Sequence, residues 1–156
     1  MNTYDKSLKV MTELFSKDLP FYLATAKDEI PSLRVVDTYY DNEAFWIVTY
    51  RQSNKVIEIE CNPNVSLCSN LYSFKGKAYN AGHPLIDENK AIREKLIEVF
   101  KDWYFLHNNE KDEGMCYVKF IPEKGFFYKD GTGYKANFAS REVDAFPFVS
   151  HIEGLD

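Results

Sequence analysis

One stretch of the chain brings together residue types that suit an anion. Arg34 interrupts an apolar run, SLRVVDTYY, and Thr49, Arg51, Ser53 and Lys55 cluster where a second run, AFWIVTY, gives way to NKVIEIECN. Hydroxyls, cationic side chains and the free amides at a helix start are the ordinary donors to phosphate or carboxylate. If the two runs are neighbouring strands, Arg34 can meet the Thr49–Lys55 segment. The residues alone also allow a plainer reading, with Arg34 an ordinary strand-edge residue and Ser53 a helix cap, and both readings are common.

Other chemistry finds less support. Cys61, Cys68 and Cys116 are odd in number and form no CxxC pair, which gives neither a disulfide framework nor a metal site, and no metal is expected. His83, His107 and His151 are scattered. His83 precedes a proline and reads as a loop residue. Asp87 and Glu88 read as helix-start charges. Lys129, Tyr134 and Lys135 flank the Gly131-Thr132-Gly133 turn and face either a ligand or solvent.

The elements that must position these groups are mostly strands. Leu8, Met11, Leu14 and Phe15 have helical spacing, with Asp5 a candidate cap. FYLATA (21–26), SLRVVDTYY (32–40) and AFWIVTY (44–50) read as an antiparallel meander, with Asp41-Asn42 as the second turn. A short helix after Ser53 stops at Pro63. VSLCSNLYSF and the run after Gly76 read as a strand pair with Lys75-Gly76 as the turn or bulge. Residues 86–106 give the one long helix, capped by Asp87 and ending in Trp103 and Tyr104, which suit a core, an interface or a flat ligand. CYVKFIP and GFFYKD are late strands, and the tail 131–156 is weakly patterned. The expected architecture is a single mainly β domain over 1–156: an antiparallel barrel of about six strands, with one long helix and short flanking helices.

Composition narrows the partners. A formal net charge of −5 argues against a nucleic-acid coat. No apolar run is long enough to cross a bilayer, and the N-terminus lacks the apolar stretch of a signal peptide, so a cytoplasmic location is expected. Aromatics at 16% suit a β-rich core or a flat ligand.

The ordered set FYLATA, PSLRVV, WIVTY, S-N-K, CNPNVSL and FKGKAY resembles the pyridoxamine 5′-phosphate oxidase-like family of FMN-binding split barrels. The resemblance is closest over residues 5–80 and looser over 81–130. It implies an FMN cofactor, gripped at its phosphate by Arg34 and Lys55, with Ser53 donating. Val35, Val36, Val48 and Thr49 would line the ribityl chain and the isoalloxazine edge. Where relatives often carry a second arginine, this sequence has Asn54, which leaves the grip one cation short, with Arg51 a possible substitute. The resemblance further implies a homodimer with a shared cofactor cleft. The activity it implies is that of an oxidoreductase acting on a small quinone, nitro compound or other aromatic. The tail lacks the R-x-H element of true pyridoxamine-phosphate oxidases, so that activity is not expected. A non-catalytic binder loaded with haem, a deazaflavin or nothing is the alternative.

Overall fold

The computed structural model describes residues 1–150; His151 lies outside the described residues. Helix α1 (Thr3–Phe15) is capped by Asn2, whose Oδ1 accepts from the Asp5 amide at 2.8 Å, so Asp5 is the third helical residue and not the cap. Strands β1 (Leu19–Lys27), β2 (Ile30–Asp41) and β3 (Ala44–Tyr50) follow as the expected meander. Both connections are two-residue turns with positive φ at Asp28, Glu29, Asn42 and Glu43, the geometry that matches strand twist. The second turn therefore falls one residue later than Asp41-Asn42.

Helix α2 (Asn54–Cys61) leads into β4 (Asn64–Ser69) and β5 (Tyr72–Gly82). The hairpin turn is at Asn70-Leu71, with Asn70 at φ 51°, and Lys75/Gly76 is a register shift inside β5. Gly76 is required there, because a Cβ would collide with the Ile121 carbonyl oxygen. The expected long helix is broken into a 3-10 turn (Asp87–Asn89), α3 (Lys90–Val99) and α4 (Tyr104–His107). Asn89 and not Asp87 precedes α3. Ile92, Leu96, Phe100 and Tyr104 still bury one face, because the tight turn at 100–103 keeps the four-residue spacing in line.

The two late runs are one strand, β6 (Met115–Lys129). The weakly patterned tail then forms β7 (Thr132–Asn137) and β8 (Glu142–Pro147). Strand order is β3-β2-β1-β4-β5-β6-β7-β8, and pairing of β3 with β6 closes the first six strands into an antiparallel barrel. β8 is the free margin of the sheet. The barrel is filled by Phe15, Phe21, Leu23, Phe45, Ile47, Leu67, Phe74, Val118, Phe120 and Phe127. A second apolar layer, of Ala44, Trp46, Leu96, Phe100, Tyr104 and Tyr117, seats α3 and α4 on the outside of β3. No helix among the described residues is long and apolar enough to cross a membrane.

Candidate functional site

The meander does not pair evenly. β2 pairs with β1 over Ile30–Thr38, but with β3 only over Tyr39–Asp41. From Tyr39 back toward Ile30 the two strands diverge, because β3 turns away to close on β6. Arg34 therefore does not lie beside Thr49 on a paired strand, as simple meander geometry predicts; its partner is Leu23, while Thr49 pairs with Cys116. The divergence opens a cleft of about 430 Å³ lined by Val35, Val36, Asp37, Ile47, Val48, Lys55, Trp103, His107 and Asn108. That is within the size range of small-molecule sites.

The far end of the cleft is the start of α2. Ser53 is its N-cap residue, but the hydroxyl donates back to the Tyr50 carbonyl at 2.7 Å and makes no bond to the first-turn amides. Those amides keep donor capacity, as helix starts do when uncapped. Thr49 Oγ1 lies 3.4 Å from Ser53 Oγ and accepts from Lys55 Nζ at 3.2 Å. Burial and the nearby Arg34 charge both pull the Lys55 pKa below the usual lysine value. Lys55 is thus a half-buried cation that donates to the neutral hydroxyl of Thr49, a setting that favours an anion.

Arg34 points to the inner side of the β1–β2 hairpin and meets α2. Its Nη2 lies 3.1 Å from Glu58 Oε2, and its Nη1 donates to Thr25 Oγ1 at 2.6 Å and more weakly to the Leu23 carbonyl at 3.4 Å. Asn54 is exposed at the first position of α2. Arg51 is exposed in the preceding turn, where its amide bonds the Gly114 carbonyl. Val35 is 57% exposed, whereas Val36 is buried and contributes to the barrel core. The structure thus sets Val35, Val36, Val48 and Lys55 on the cleft lining; Thr49 meets Lys55 and Ser53 behind it, and Arg34, off the lining, is close enough for its charge to act on Lys55.

Residue-type reasoning missed Glu58, Thr25 and Ser32 around Arg34, and Asp37, Ile47, His107 and Asn108 along the cleft. Lysine followed three positions later by an acid on a short helix was the one local signal for Glu58. Trp103 lines the cleft and donates from Nε1 to Asp18 at 3.0 Å, while Tyr104 is fully buried with its hydroxyl 2.5 Å from that of Tyr117. His83 is spent: its Nε2 lies 3.1 Å from the Asp112 carbonyl and its Nδ1 accepts from the Leu85 amide. Lys129 pairs with Glu13 and Asp130, Tyr134 stacks on Phe127, and Lys135 is exposed away from the cleft. Another hollow, of about 470 Å³ between β1, β4, β5 and β6, has Lys75 and Lys124 on its lining but no helix start.

Residues 8–129 match the family model described as Pyridoxamine 5′-phosphate oxidase. No curated protein sequence matches significantly. Among solved structures, a NimC/NimA family protein from Clostridium acetobutylicum is similar at 20% identity and TM-score 0.59, over 93% of this chain and 97% of its own. A pyridoxamine 5′-phosphate oxidase-related, FMN-binding protein from Nostoc punctiforme is similar at 11% identity and TM-score 0.55, over 96% and 98%. HutZ, a haem storage protein from Vibrio cholerae, is similar at 15% identity and TM-score 0.60, over 81% and 94%. At these identities the solved structures speak for the fold, and the family model speaks for descent. The split between β2 and β3, the barrel closed by β3 and β6, and the match over most of the chain place this protein in the pyridoxamine 5′-phosphate oxidase-like family.

Proposed function

We propose that the chain binds FMN in the β2–β3 cleft and serves as a flavin-dependent oxidoreductase for a small quinone, nitro compound or other aromatic. The observation that carries this reading is the divergence of β2 from β3 beside Lys55. It sets an apolar wall and an unpaired strand edge next to a cationic helix start. An isoalloxazine needs a flat apolar wall with backbone groups at its polar rim, and a phosphate needs cations and free amides. The donor set fits: Lys55, Arg34 and the first-turn amides of α2 would hold the phosphate, Ser53 and Thr49 would add hydroxyls, and Val35, Val36 and Val48 would line the ring and ribityl chain.

Bound FMN would supply hydride or single-electron transfer to the substrate. The chain's own contribution is then placement. Trp103 and Ile47 line the cleft and would shield a bound ring from water, and Asp37 stands at its wall as a carboxyl whose pKa is raised by burial and by neighbouring Asp18. The proposed assembly is a homodimer in which the exposed Tyr22, Leu33 and Val35 of the β1–β2 outer face meet a second copy.

Absorbance near 450 nm, a general flavin property at about that value, in the purified or FMN-supplemented protein tests the reading. Arg34→Ala combined with Lys55→Ala is expected to weaken FMN binding at least about a hundredfold, since each charged hydrogen bond contributes roughly 1.5–3 kcal/mol. A colourless protein that takes up no added FMN overturns the proposal, and a Soret band in its place assigns haem.

A further inference from the structure

Glu58 is an acid beside the two cations of the proposed phosphate grip, bonded to one of them, Arg34. It lies one turn after Lys55 on α2, and its carboxylate accepts from Thr25 Oγ1 at 2.5 Å, from Ser32 Oγ at 3.0 Å and from Arg34 Nη2 at 3.1 Å. The Thr25, Ser32 and Arg34 hydrogen bonds hold its pKa below the usual glutamate value against the opposing effect of burial. It is therefore charged at neutral pH. Both terminal nitrogens of Arg34 are engaged within the protein, one by Glu58 and the other by Thr25 and Leu23. The side chains of Arg34 and Glu58 are 23% and 15% exposed, so the pair is half-sheltered but still reachable.

We propose that Glu58 is the affinity-setting counter-ion of the phosphate grip, and that it makes FMN an exchangeable cofactor. The inference rests on the FMN reading above. Arg34 and Lys55 supply two positive charges and Glu58 removes one, against a phosphate monoester that carries close to two negative charges at neutral pH. Asn54 adds nothing to offset this. A guanidinium has five N–H donors, so Arg34 keeps protons for a phosphate while Glu58 holds it in place. The cost is repulsion between two anions that share one guanidinium. Only a phosphate-bearing ligand feels that repulsion. Riboflavin, with the same ring and ribityl chain, does not.

The test is titration of wild-type and Glu58→Gln protein with FMN, riboflavin and inorganic phosphate, following flavin fluorescence and, for phosphate, the thermal midpoint. Glutamine keeps the shape and an acceptor for Arg34 but removes the charge. FMN should bind roughly tenfold more tightly to the variant, the effect of relieving one like-charge contact at a partly solvated site. Riboflavin should be unchanged, and phosphate should raise the variant's midpoint further than the wild type's. Unchanged or weaker FMN binding by folded Glu58→Gln overturns the proposal, as does wild-type protein that binds riboflavin as tightly as FMN. If neither flavin binds but the variant responds more strongly to phosphate, the role of Glu58 stands and the flavin reading falls; no phosphate response in either protein removes both. Wild-type protein supplies a readout that needs no variant. It should lose added FMN on gel filtration in flavin-free buffer, and stoichiometric retention overturns the exchangeable cofactor.

Discussion

Lys55 is under two influences of the same sign, burial and the charge of Arg34, and both favour its neutral form. The unfolded chain lacks both. Between the lowered folded value and the ordinary lysine value the unfolded state binds more protons, so this residue's contribution to stability rises with pH across that window. Ligand affinity runs the other way, because the grip needs the ammonium. FMN affinity should rise as the phosphate becomes dianionic near pH about 6 and fall again as pH climbs through the lowered Lys55 value, while riboflavin affinity stays flat over the alkaline limb. A flavin titration series across pH reads this directly, and an alkaline limb shared by riboflavin would assign it to the ring instead. Glu58 has the opposite linkage: its folded value is lowered, so its stabilising contribution is present above the ordinary glutamate value and is lost as acid takes the pH through the folded one. Arg34 and Lys55 were legible in the sequence only as members of an ordered set of motifs. Glu58 was not, because its partners Thr25 and Ser32 come from a hairpin that the sequence does not tie to α2.

Strand and helix boundaries show which local signals survive packing. The β1–β2–β3 meander was legible because apolar runs and polar turns alternate cleanly. Leu71 hid the β4–β5 turn, since an apolar residue after Asn70 makes VSLCSNLYSF look continuous. The break at 100–103 was hidden for a different reason: Ile92, Leu96, Phe100 and Tyr104 keep helical spacing across it, and the tilted contact of Phe100 with Trp103 and the Trp103–Asp18 hydrogen bond accompany the bend without changing the buried face. That break carries Trp103 to the cleft. At Gly76 the element imposes its own constraint. Gly76→Ala should destabilise the protein by about 1–3 kcal/mol, the usual effect of an overpacked site, because the added methyl meets backbone and not a movable side chain. Chemical denaturation measures this, and an unchanged midpoint would mean that the β5–β6 bulge shifts freely.

At the scale of the whole molecule, an outer face is left apolar. Tyr22 pairs with Val35 and Ala24 with Leu33, and Tyr22, Leu33 and Val35 are 53%, 68% and 57% exposed. Such a row on a strand pair suits a second copy. Leu33→Asp with Tyr22→Asp should convert a dimer to a monomer in sedimentation and weaken FMN binding with it; a monomeric wild type with full FMN affinity would contradict a shared cleft. β7 and β8 extend the sheet beyond the barrel and were not legible, since Gly131, Gly133 and an exposed β8 give little alternation. The last strand has a consequence for how the protein keeps its own company. The split between β2 and β3 already leaves β2 with an edge that pairs with no strand along Ile30–Thr38, and among the described residues β8 adds a second one. Glu142 and Asp144 place negative charge along β8 and Pro147 offers no amide at its end, features that disfavour backbone pairing between identical molecules meeting at that strand.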